Sequence, residues 1–163
     1  MNFKKMLQKL KISPVFKQWI SENKKFFLAH AFVMLDESNK DVWQIGYYCK
    51  DTDKISTFVV EENEVNLIKN QEIFKAEGSI KELKAEDVKL EADEMLKIGK
   101  KCREEHYPNE EVFKTFYIIQ NSAIGEIYNL TFLTKSFKAI NIKISVEDGK
   151  ILQHSINLLV GKA

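Results

Sequence analysis

Arginine is almost missing from this chain: of 25 basic residues only Arg103 carries a guanidinium. That planar fork grips phosphate and guanine with paired hydrogen bonds, and the 24 acidic residues leave a net charge of only +1. Nucleic acid is therefore excluded as an expected partner. Only 2 prolines and 6 glycines are present, which excludes long flexible linkers. Cys49 and Cys102 are the 2 cysteines; they form no C-x-x-C and are too few for a disulfide framework, so a reduced, cytoplasmic setting is expected. No apolar run approaches the ~20 residues that cross a bilayer. The opening M-N-F-K-K-M-L-Q-K-L-K interrupts its apolar residues with lysine, unlike a signal-peptide core. No membrane span is expected.

Catalytic and cofactor signatures are equally thin. The motifs G-x-S-x-G, G-x-G-x-x-G and G-x-x-x-x-G-K-[ST] do not occur, so no nucleophile elbow or phosphate cradle is evident. His30, His106 and His154 are the 3 histidines, too scattered for a metal site recognised by spacing. His30 and His154 read as core or edge histidines on strands. Glu104-Glu105-His106 reads as a solvated helix terminus before Pro108. Cys102 shares an apolar helix face with Met95 and Ile98 and reads as a small hydrophobe, while Cys49 has no neighbouring histidine to activate it. No catalytic residue, metal or cofactor is expected.

What is present is a globule: 44% hydrophobic residues with 11 Phe, 5 Tyr and 2 Trp. Phe3, Met6, Leu7 and Leu10 make one helical stripe, and Ser13-Pro14 caps and starts a second helix with Val15, Phe16, Trp19 and Ile20 on its apolar face. Extended segments follow. Phe26 to Leu35 is apolar on both faces, Trp43-Ile45-Tyr47-Cys49 alternates with polar or small residues, Ile55 to Val60 is a third strand, and V-E-E-N-E-V (Val60 to Val65) turns into a fourth ending near Phe74. Ala76 to Lys89 reads as a charged connector. Leu90 to Tyr107 is the longest helix pattern, with acidic residues in its first turn and Pro108 setting its end. Val112 to Gln120 is again apolar on both faces. Tyr128-Leu130-Phe132 and Ile140-Ile142-Ile144-Val146 alternate, and V-E-D-G-K-I (Val146 to Ile151) leads into a last strand ending near Val160. Asp148-Gly149 reads as a two-residue hairpin turn.

The order is thus a helical segment and four strands, twice. An offset of 86 lays Ala31-Phe32-Val33 on Tyr117-Ile118-Ile119, and an offset of 85 lays Trp43, Ile45 and Tyr47 on Tyr128, Leu130 and Phe132. The stretch Val88 to Gly99 resembles the helix entry of PepSY and PepSY-like domains, and Ile144 to Leu152 resembles their closing hairpin, with an acidic residue and Gly149-Lys150 before an apolar strand. The resemblance covers about residues 88–160, with a diverged first copy whose Asn63-Glu64 departs from the Gly-Lys turn. It implies a cystatin-like fold and a binding or inhibitory role, and it transfers no catalytic residue.

The expected architecture is α+β: two tandem cystatin-like units, each a helix packed on a four-stranded antiparallel sheet, over residues 1–75 and 90–163 with a connector at 76–89. Trp43, Tyr47, Tyr128 and Phe132 are expected in the core, and Gln44, Asn129, Thr131, Lys143 and Ser145 on the opposite face. The doubly apolar first strands break that pattern, so Phe32, Met34, Tyr48, Phe116 and Ile118 are the candidate binding residues. The expected function is non-catalytic binding of a protein, peptide or apolar ligand, with a homo-oligomer as one form of partner, through a sheet face or by strand addition at an edge. The alternative is a small hydrolase or isomerase with a cavity between helix and sheet.

Overall fold

The computed structural model describes residues 2–39, 41–72 and 79–159, and for 69–72 the backbone alone. Helices α1 (Phe3–Ile12) and α2 (Pro14–Glu22) precede strands β1 (Phe27–Met34), β2 (Trp43–Cys49), β3 (Lys54–Val60) and β4 (Val65–Glu72); helix α3 (Ala92–His106) precedes β5 (Val112–Ser122), β6 (Gly125–Thr134), β7 (Lys138–Ser145) and β8 (Ile151–Leu158). Local chemistry sets these bounds. The Asn2 side chain accepts from Lys5 N at 2.9 Å to start α1, and Ser13 Oγ accepts from Phe16 N at 3.2 Å to start α2 directly before Pro14. The end of β4 expected near Phe74 and the end of β8 near Val160 lie outside the described residues.

All eight strands join one antiparallel sheet in the order β4-β3-β2-β1-β5-β6-β7-β8. Every pairing but one links strands adjacent in sequence; the exception, β1 with β5, joins the halves at the middle. The helices lie on one face. Phe3 meets Trp43, Phe16 and Trp19 meet Phe58, Gly99 of α3 lies against Leu130, and Arg103 stacks over Phe132. The resulting core runs through both halves without a break and includes the expected Trp43, Tyr47, Tyr128 and Phe132.

Two expectations need correction. The connector is more than a charged tether: Leu83 and Val88 are 2% and 5% exposed and belong to the core. Leu83 N donates to Leu28 O at 2.8 Å, and Lys81 pairs with Asn121, so the segment is laced to β1 and β5. The turn at Asp148-Gly149 is not a two-residue hairpin either, because the β7–β8 ladder stops at Ile144 opposite Ile151. Val146 leaves it to fill the core, and its carbonyl accepts from Lys89 N at 3.0 Å and Leu90 N at 2.8 Å. Gly149 keeps the positive φ expected of it, +78°, and passes beneath α3, where a Cβ would stand 2.8 Å from Ile98.

Candidate functional site

Four places could carry function: the helix-free face of the sheet, a cleft at the N-terminus of α3, a side-chain cluster between α3 and β8, and the β8 edge. On the helix-free face, β1 and β5 set Phe32 opposite Ile118 and Met34 opposite Phe116, and the Phe32 and Phe116 rings lie 5.7 Å apart. These four side chains are half-buried and form one patch at the centre of the sheet. Its flanks are polar. Gln44 pairs with Phe32, Asn129 with Ile118 and Thr131 with Phe116, and Asn141 Nδ2 donates to Asn129 Oδ1 and to Thr131 Oγ1, the latter at 3.1 Å.

Tyr48, the fifth sequence candidate, does not join this patch. It lies at the end of β2, is 2% exposed, meets the Phe27 ring at 5.6 Å and donates to Asp53 Oδ1 at 2.5 Å. That hydrogen bond to Asp53 raises its phenol to about 12. On the same face the His30 ring occupies the space a side chain at Gly46 would need, 2.3 Å from an added Cβ. Burial lowers the His30 pKa, as expected for an imidazole read as structural.

The cleft measures about 520 Å³ and opens between the β1 end and the first turn of α3. Val33, Trp43, Leu96 and Tyr117 give it an apolar floor, and Asp36, Glu37, Asp41 and Asp93 give it an acidic rim. Burial is the main cause of the raised Tyr117 pKa, with Tyr128, Asp93 and Asp41 adding to it, so the phenol stays protonated. The size suits a small molecule.

The third place was hidden from sequence spacing. The last turns of α3 carry Cys102 and His106 one turn apart, and β8 brings His154 against them. The His106 and His154 rings stack at 4.2 Å and 25°, Tyr107 Oη and His154 Nδ1 are hydrogen-bonded at 2.8 Å, and the donor atoms of Cys102, His106 and His154 lie within 4.8 Å of one another. Cys102 is buried beneath the two exposed imidazoles; burial raises its thiol pKa, with Glu105 adding to it. Both cysteines are free, and Cys49 sits apart at the end of β2, its thiol lowered chiefly by a hydrogen bond with Thr52. Chain distance hid the cluster, because Tyr107 and His154 are 47 positions apart.

The fourth place is strand β8, an outer edge of the sheet. I-L-Q-H-S-I-N-L contains no charge, and every residue but Ile156 is exposed. Leu158 is 70% exposed, and Phe137 beside it 65%. Edge strands normally carry lysine, proline or a cover that blocks pairing with another chain.

No protein-family model matches the chain, and no curated protein matches it in sequence. The fold is similar to that of a chain from Clostridium difficile 630, described as a putative lipoprotein: the TM-score is 0.55 and the identity 11%, over 88% of this chain and 90% of that one. At this identity the likeness shows the fold alone. No described helix is long and apolar enough to cross a membrane.

Proposed function

We propose that the protein is a non-catalytic binding module that receives a protein or peptide strand along β8, extending the sheet. The observation that carries this reading is an uncharged, exposed edge strand with Leu158 and Phe137 open at one end. Main-chain pairing would supply affinity, and the apolar side chains at Ile151, Leu152 and Leu158 would select the partner. The central patch of Phe32 and Phe116 is a weaker candidate, since its side chains are half-buried.

The same reading takes the chain as two diverged copies of one cystatin-like, PepSY-like unit, fused through their first strands. Three features support it. Phe32 pairs with Ile118, its own counterpart at an offset of 86, so a pseudo-twofold axis passes through that pair. Ala31 opposite Ile45 recurs as Tyr117 opposite Leu130, and V-E-E-N-E-V and V-E-D-G-K-I both join the third strand of a half to its fourth. Ser13, where the first helical segment breaks, corresponds at the same offset to Gly99 in the middle of α3.

Native mass spectrometry of the protein isolated from its source cell tests the binding role. Wild type should carry a partner or a second copy, and Leu158→Lys should lose it without loss of fold. Repeated recovery of bare wild-type monomer would sink the proposal, as would a partner retained by Leu158→Lys and lost by Phe32→Lys. The acidic cleft favours a second reading, a small hydrolase or isomerase. A compound that binds there should be displaced by Asp93→Asn and leave Leu158→Lys unaffected.

A further inference from the structure

We infer that Cys102, His106 and His154 form a site for one divalent transition-metal ion, zinc first, fastening the C-terminal end of α3 to β8. The donor set is one thiolate and two imidazoles, the mixture that zinc prefers. Cys102 and His106 are one helical turn apart and point the same way, as two ligands on one helix must. The third donor comes from a different element, so an ion would cross-link helix and sheet.

The geometry is close to closure. Bond lengths of about 2.3 Å to sulfur and about 2.0–2.1 Å to nitrogen place tetrahedral donors roughly 3.3–3.6 Å apart. The three donor atoms already lie within 4.8 Å. Closing that gap requires the two stacked rings to fan apart; both histidines are exposed, and the His106 ring can turn while His154 keeps its bond to Tyr107. The hydrogen bond between Tyr107 Oη and His154 Nδ1 holds that ring and leaves Nε2 as the nitrogen available to a metal, the outer-shell arrangement that orients a histidine ligand. Binding converts the Cys102 thiol to a thiolate and releases its proton to solvent. With three protein donors the fourth position is open to water. This inference does not depend on strand addition at β8.

The test is titration of the reduced full chain with Co²⁺, followed by displacement with Zn²⁺. Wild type should take up one equivalent and develop a thiolate-to-cobalt charge-transfer band that zinc abolishes. Cys102→Ser should remove the band and Cys49→Ser should keep it. His154→Ala and His106→Ala, both at exposed positions where the fold is easily checked by circular dichroism, should weaken binding by more than ~100-fold. Tyr107→Phe should weaken it by about 10- to 100-fold, the range for an outer-shell partner. Absence of the band in wild type, or a band that survives His154→Ala at full affinity, overturns the site. Loss of strand binding in Leu158→Lys with cobalt binding intact would separate the two proposals.

Discussion

Substituting Gly99 by alanine tests how tightly α3 is seated on the sheet. In an exposed helix interior this change would stabilise by about 1 kcal/mol, because alanine restricts the unfolded chain and favours the helix. Here the new Cβ would stand 2.1 Å from Leu130 Cδ2, about 1.4 Å short of the ~3.5 Å at which two carbons touch comfortably. Leu130 is 0% exposed and cannot swing into solvent. Either α3 lifts or Leu130 leaves its rotamer, and overpacking of this kind costs about 1–3 kcal/mol. The expected net is a loss of about 0–2 kcal/mol after the propensity gain is subtracted, read as an unchanged or lower urea midpoint. Leu130→Ala alone should cost about 2–5 kcal/mol. In the double variant the methyl at position 99 enters the space Leu130 vacated, so the combined loss should fall short of the sum by at least ~0.5 kcal/mol. A Gly99→Ala protein more stable than wild type, or strict additivity, would refute the close approach of α3 to β6.

Leu83→Ala should cost about 2–5 kcal/mol in urea denaturation, since the residue is 2% exposed; a loss below ~0.5 kcal/mol, the range of ordinary surface changes, would return the connector to the role of a tether. Tyr128→Phe removes the bond from its hydroxyl to Leu90 O at 2.6 Å and should cost about 0.5–1.5 kcal/mol, measured the same way. His30 titrates below its ordinary 6.5 in the folded chain, so the unfolded chain takes up the proton first; stability should be intact above pH 6.5 and be lost as pH falls through the folded value. His30→Gln should flatten that limb of the stability profile, and an unchanged slope would count against burial as the cause.

Much of the fold was readable because periodicity reports one-sided burial. Trp43-Ile45-Tyr47 and Ile140-Ile142-Ile144 alternate because one face meets helices and the other does not, and Ser13-Pro14 marks a helix start by chemistry alone. The length of the turn at Asp148-Gly149 is not legible locally, because it depends on a distant demand: Val146 satisfies the N–H groups of Lys89 and Leu90. Leu83 and Val88 give no core signal in the sequence, because isolated apolar residues in a charged stretch have no period. The apolar outer sides of β1 and β5 were visible, yet placing Phe32 beside Phe116 needed the single non-neighbour pairing. Tyr48 shares the outer side of its strand by alternation, but alternation says nothing of distance along the strand. The Cys102, His106 and His154 cluster left no local trace, since only the packing of α3 on β8 brings it together.

The central β1–β5 ladder also has a consequence for synthesis. Each half is a meander whose strands pair with their immediate predecessors, so each can form as soon as it emerges from the ribosome. The β1 edge must wait for Val112–Ser122. Until then the nascent first half shows an unpaired edge bearing Phe32 and Met34, open to the same edge on a neighbouring chain. Pauses in translation between α3 and β5 should therefore raise the misassembled fraction more than pauses after β6.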